Sequence, residues 1–90
     1  MAEILIVEDD EVITSTLAYN LSRQGFGVKA ATTGAEALRM ARKMRPDLIL
    51  LDVMLPGESG IEVCERIRER DQDVVIVMVT AKDAEEDKVR

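Results

Sequence analysis

Leu48-Ile49-Leu50-Leu51 is an unbroken apolar run that ends in Asp52, with Pro56-Gly57 four residues further on. Successive side chains of a strand point to opposite sides, so a strand apolar at every position must be covered on both faces. Parallel sheets flanked by helices meet that demand, and few other arrangements do. A carboxylate is out of place inside such a strand. It is in place at the rim, where strand ends open onto a crevice.

The segments around this run repeat one unit. Ile4 to Val7 is a short apolar, β-branched run closed by acids and reads as a buried strand. In DEVITSTLAYNLSRQG, Ile13, Leu17 and Leu21 recur at four-residue spacing, with Val12 and Thr16 beside them and Gly25 as the stop, which predicts an amphipathic helix. FGVKAA is a weaker, less apolar strand, suited to an edge. TGAEALRMARKM predicts a second helix: Thr33 and Glu36 have capping-box spacing, Ala37, Leu38 and Ala41 supply the apolar face, and Pro46 ends it. SGIEVCERIRER predicts a third, with Ser59 and Glu62 as a second box and Ile61, Cys64 and Ile67 facing inward. Val74 to Val79 is a fourth strand, followed by Thr80, Ala81 and an acidic helix from Asp83. The rhythm β-α-β-α-β-α-β-α is that of an α/β doubly wound parallel sheet with right-handed crossovers.

Composition narrows the chemistry. The 90 residues hold no histidine and a single cysteine, Cys64, which rules out an intramolecular disulfide and a His/Cys zinc site. Cys64 and the methionines Met40, Met44 and Met78 are expected to pack. A net charge of −6, from 18 acidic and 12 basic residues, argues against a nucleic-acid surface; Arg66, Arg68 and Arg70 lie among acids. The short apolar start carries no signal-peptide pattern and no run could span a membrane, so a cytoplasmic location is expected.

What remains is oxygen chemistry at the strand ends. The first strand ends in Glu8, Asp9 and Asp10, the third in Asp52 and the fourth in Thr80. If the first and third strands are neighbours, Asp9 and Asp52 converge, and such close like charges call for a cation. Hard oxygen donors suit Mg²⁺ or Mn²⁺, and the VMLPG loop, with the signature of a type II turn at Pro56-Gly57, can add a backbone carbonyl. An aspartate beside such a metal can take a phosphoryl group, and Thr80 can donate its hydroxyl to it. No general acid or base accompanies them, which favours an acceptor over a high-turnover enzyme. An aspartate-nucleophile phosphatase commonly carries a second acid two residues beyond the nucleophile, where this chain has Met54. Asp10 reads as a helix cap.

ILIVEDDEVI, DLILLDVMLPGESG and VVIVMVTAKD together resemble the receiver domain of bacterial two-component response regulators, from Ala2 to the last residue. The resemblance implies a flavodoxin-like fold with strands in the order 2-1-3-4. It implies that Asp52 is phosphoacceptor and metal ligand, that Asp9 binds Mg²⁺ directly, that Glu8 acts mostly through water, that Met54 lends its backbone carbonyl and that Thr80 shifts toward the phosphoryl group on activation. A sensor histidine kinase is the implied donor. Glu8-Asp9 in place of Asp-Asp, with Met-Leu-Pro-Gly after the acceptor, is closest to regulators with a winged-helix DNA-binding output domain. The pattern also departs from the family. The 90 residues read as a partial receiver that stops inside the fourth helix, without the fifth strand, its closing lysine and the last helix; Lys82 is not that lysine. Phosphorylation and signalling are therefore expected to be impaired. The fourth strand is left with an open edge, for which self-association or a complementing chain is expected. A half-fold acting only as such an interaction module is the competing reading.

Overall fold

The computed structural model describes residues 2–55 and 57–79. Four parallel strands form the sheet: β1 (Glu3–Val7), β2 (Gly27–Ala31), β3 (Leu48–Asp52) and β6 (Val75–Val79), in the order β2-β1-β3-β6. Helices α1 (Glu11–Arg23), α2 (Gly34–Met44) and α3 (Gly60–Arg70) alternate with them, and β4 (Met54–Leu55) and β5 (Glu58–Ser59) form a small antiparallel hairpin between β3 and α3. The doubly wound α/β arrangement and the expected strand order are present.

The order follows from the apolar pattern. β1 and β3 are the most buried strands and occupy the centre; β2, with Lys29 and Ala30 exposed, takes one edge, and β6, apolar at every position but only partly covered, takes the other. Moving from β1 to β2 runs one way across the sheet and from β2 to β3 the other, so right-handed crossovers place α1 and α2 on opposite faces. Leu5, Val7, Ile49 and Leu51 alternate with Ile4, Ile6, Leu48 and Leu50. The first set joins Ala37, Leu55, Val63, Ile67 and Val74 in one buried core beneath α2 and α3. Met40, Met44, Met78 and Cys64 pack against that core, as their composition suggested. The second face is less well covered. No residue of α1 is buried, and Val75 and Val77 are 55% and 42% exposed on the edge strand β6.

Helix ends show why these segments stop where they do. Asp10 Oδ1 accepts hydrogen bonds from the Val12 and Ile13 amides, confirming it as the cap of α1. At the other end Phe26 N–H donates to Leu21 O and Gly25 N–H to Ser22 O, with Gly25 at φ 98°, a Schellman stop. Thr33 Oγ1 accepts from Glu36 N–H, while Glu36 reaches back to the Thr32 amide, one residue before the reciprocal position of a capping box. α2 ends at Met44, and Arg45 adopts the left-handed conformation just before Pro46.

Three expectations need correction. Ser59 Oγ accepts from Ile61 N–H, not from Glu62 N–H, so the second capping box does not close. Ile61 is 55% exposed rather than core-facing. With α3 starting at Gly60, the buried stripe is Gly60, Val63 and Ile67, and Ile61 lies outside it. Val12 likewise points outward, 74% exposed, because the half-buried stripe of α1 runs through Ile13, Leu17 and Leu21. Thr80, Ala81, Pro56 and the helix expected from Asp83 lie outside the described residues.

Candidate functional site

Register builds the site. Parallel pairing of β1 with β3 matches Ile4 to Leu48 and continues to Val7 opposite Leu51. The next step brings Glu8 level with Asp52, at the carboxyl ends of the two central strands. Both carboxylates are almost fully buried, at 2% exposure each, and Asp9 is half-buried beside them. One oxygen from each of Glu8, Asp9 and Asp52 lies within 4.8 Å of the others. The convergence of Asp9 and Asp52 expected from the sequence is therefore present, with Glu8 as a full member of the cluster.

Each carboxylate is held differently. Asp52 Oδ1 accepts from the Met54 amide at 3.0 Å, whereas its buried Oδ2 has no hydrogen-bond partner. Glu8 Oε2 accepts from the Asp10 amide at 2.9 Å. Burial pushes the Glu8 carboxyl above its ordinary range; the Asp10 N–H pulls it back, and the neighbouring carboxylates of Asp52 and Asp9 add to the rise. Three converging acids, one with an orphaned oxygen, form an environment that disfavours its own negative charge. Oxygen-only donors of this kind fit a small hard cation such as Mg²⁺.

The loop after β3 closes the site from below. Gly60 N–H donates to Val53 O at 2.7 Å, and a Cβ at position 60 would collide with the Asp52 carbonyl oxygen. Only glycine allows α3 to begin so close to the end of β3. Gly57 has φ 72°, the value its place in the expected type II turn requires. β4 and β5 pair Met54 with Ser59 and Leu55 with Glu58, and Leu55 is buried in the core. Met54 lies beside the cluster through its amide, and its side chain is 51% exposed. The hairpin, and a hydrogen bond from Gly34 N–H to Glu58, were not apparent from the sequence; two-residue strands leave no periodicity, and the turn residues alone signalled the bend. Thr80 follows β6 in sequence but lies outside the described residues. Among the described residues no helix is long and apolar enough to cross a membrane.

Comparison with known proteins gives this geometry a family. The alkaline phosphatase synthesis transcriptional regulatory protein PhoP of Bacillus subtilis is 52% identical over 87 residues, covering 97% of this chain and 36% of PhoP. The transcriptional regulatory protein AfsQ1 of Streptomyces coelicolor is 47% identical over 89 residues, covering 99% of this chain and 39% of AfsQ1. The chain thus spans well under half the length of these curated relatives. The response regulator protein TrrA of Thermotoga maritima, crystallised in complex with Mg²⁺-BeF, superposes with a TM-score of 0.86 at 34% identity, over 99% of this chain and 77% of TrrA. The family model of the response regulator receiver domain matches residues 4–90, and the chain belongs to that family.

Proposed function

We propose that this chain is the phosphoryl-accepting part of a response regulator, and that Asp52 is the acceptor. The observation that carries the reading is the buried, unpartnered Oδ2 of Asp52 within the cluster of Glu8 and Asp9. An oxygen with no hydrogen bond keeps its lone pairs available for attack on phosphorus. With a phosphohistidine of a sensor kinase as donor, the Asp52 oxygen forms the new bond to phosphorus. The phosphorus–nitrogen bond breaks, and its electron pair returns to the imidazole. Asp9, Asp52 and the Met54 carbonyl are the residues that would hold Mg²⁺, with Glu8 acting through water; Mn²⁺ suits the same donors. When bound, the metal offsets charge on the transferring phosphoryl oxygens. Thr80 is proposed to donate its hydroxyl to the phosphoryl group.

The relatives named transcriptional regulators support an output in transcription for the longer protein, in which residues 1–90 form part of a receiver domain in the cytoplasm. Incubation with Mg²⁺ and acetyl phosphate, read by intact mass, tests the assignment: the chain gains one phosphoryl group and the Asp52→Asn variant gains none. Equal modification of both would reject Asp52.

A second reading rests on β6. Among the described residues it is an outer strand of the sheet, where main-chain groups can add a partner strand, and its Val75 and Val77 leave apolar surface uncovered on the adjoining face. On this reading the strand pairs with a second copy or a complementing chain. Sedimentation that stays monomeric across a wide concentration range would exclude the second copy.

A further inference from the structure

We infer that Glu58 is a positioning residue for the acceptor loop, acting as a latch between that loop and the N-terminus of α2; the inference rests on the phosphoacceptor reading above. The loop has to present the Met54 carbonyl beside Asp52, yet its own structure is slight. β4 and β5 contribute two residue pairs, and a hairpin of that size does not hold itself together in water. Its order must come from outside. On one side Leu55 is anchored in the core. On the other, Gly34 N–H, the first amide of α2, donates to Glu58 Oε2 at 2.5 Å.

The chemistry of this contact is favourable twice over. The amide is one of those a helix start leaves without an internal partner, and the carboxylate meets the positive end of the helix dipole. The receiving end is rigid: Thr33 caps the Glu36 amide, and Glu36 ties down the Thr32 amide. The latch therefore refers a weak hairpin to a fixed point of the fold. Glu58 pairs with Leu55, next to the Met54–Ser59 pair, and Met54 N–H donates to Asp52. The path from α2 to the acceptor carboxylate is continuous through these contacts. Gly34 fits the same picture, because a Cβ there would strike the Glu58 carboxylate.

The test is a cycle of Glu58→Ala, Gly34→Ala and the double variant, with Glu58→Gln as the conservative replacement. Mg²⁺ affinity is measured by titration, and exchange of the Met54 and Gly60 amides by NMR in metal-free buffer. Glu58→Ala should weaken Mg²⁺ about tenfold, the lower range for partners that orient metal ligands. Gly34→Ala should do the same by displacing the carboxylate, the double variant should be no worse than either, and Glu58→Gln should fall between. Amide exchange should quicken in the same order. A lower melting temperature with unchanged Mg²⁺ affinity, or additive losses in the double variant, would overturn the latch. If the parent chain bound no Mg²⁺, the phosphoacceptor reading would fall and this positioning role with it. Unchanged amide exchange in Glu58→Ala would refute the latch alone.

Discussion

Replacing Asp52 by asparagine should make the metal-free chain more stable, although the residue is buried and central. Asp52 is 2% exposed, its Oδ2 has no hydrogen-bond partner, and oxygens of Glu8 and Asp9 lie within 4.8 Å. Two unit charges at ~4.8 Å repel by about 3 kcal/mol at an effective dielectric of about 20. The same burial and crowding hold the Glu8 carboxyl above its ordinary range, and an asparagine amide must itself find acceptors. The net gain should therefore be about 1–3 kcal/mol at neutral pH. For a domain of this size each kcal/mol moves the melting temperature by about 4–8 °C. Urea unfolding in EDTA and again in excess Mg²⁺ reads both halves of the argument. The parent chain should gain about 2.7 kcal/mol when Mg²⁺ reaches about one hundred times its dissociation constant, and Asp52→Asn should gain little. A variant that is less stable than the parent in EDTA, or that Mg²⁺ stabilises equally, would refute the claim that the cluster is electrostatically strained and built for a cation.

Three further outcomes follow from the same geometry. Because Glu8 has a raised carboxyl in the fold, the folded chain holds that proton more tightly than the unfolded one; this contribution is complete below the ordinary value of 4.5 and is lost as pH rises through the folded value. The stability advantage of Glu8→Gln over the parent in EDTA should thus grow with pH, and an advantage that shrinks over that window would contradict the shift. Gly60→Ala should cost about 1–3 kcal/mol or more and weaken Mg²⁺, since its Cβ meets the backbone of Asp52 and Val53, which cannot swing aside as a side chain can. Asp10→Ala should cost about 1 kcal/mol through the lost cap on Val12 and Ile13 while leaving Mg²⁺ affinity unchanged, and a large fall in affinity would move Asp10 into the site.

Much of this fold was legible because its signals are local. Four apolar runs separated by helix-period segments specify the doubly wound sheet, and Lys29 in the second run marks an edge strand. The convergence of Asp9 and Asp52 could be read because acids at the ends of central strands have only one rim to occupy. Ile61 misled because period alone does not fix the phase of a helix. Starting α3 at Gly60, so that it can pass under the Asp52 carbonyl, turned Val63 inward and Ile61 outward. Glu58 was invisible for a different reason. A single carboxylate reaching a helix amide 24 positions away has no periodicity, and only the assembled fold brings the two together.

The site also depends on the core in a way that single residues hide. Glu8 stands level with Asp52 only because Val7 pairs with Leu51, and that register is held by which apolar side chains face α2 and α3. A slip of one residue between β1 and β3 would make Ile49 and Leu51 exchange faces with Leu48 and Leu50, turning the core set of β3 away from α2 and α3. The same slip would separate the two buried carboxylates by a further strand step. Hydrophobic packing thus opposes the relaxation that electrostatic repulsion favours, and the acids stay together because moving them apart would unpack the sheet. The cluster can be strained and persistent at once: its repulsion is local to three side chains, while the register that imposes it is shared by the whole of β1 and β3.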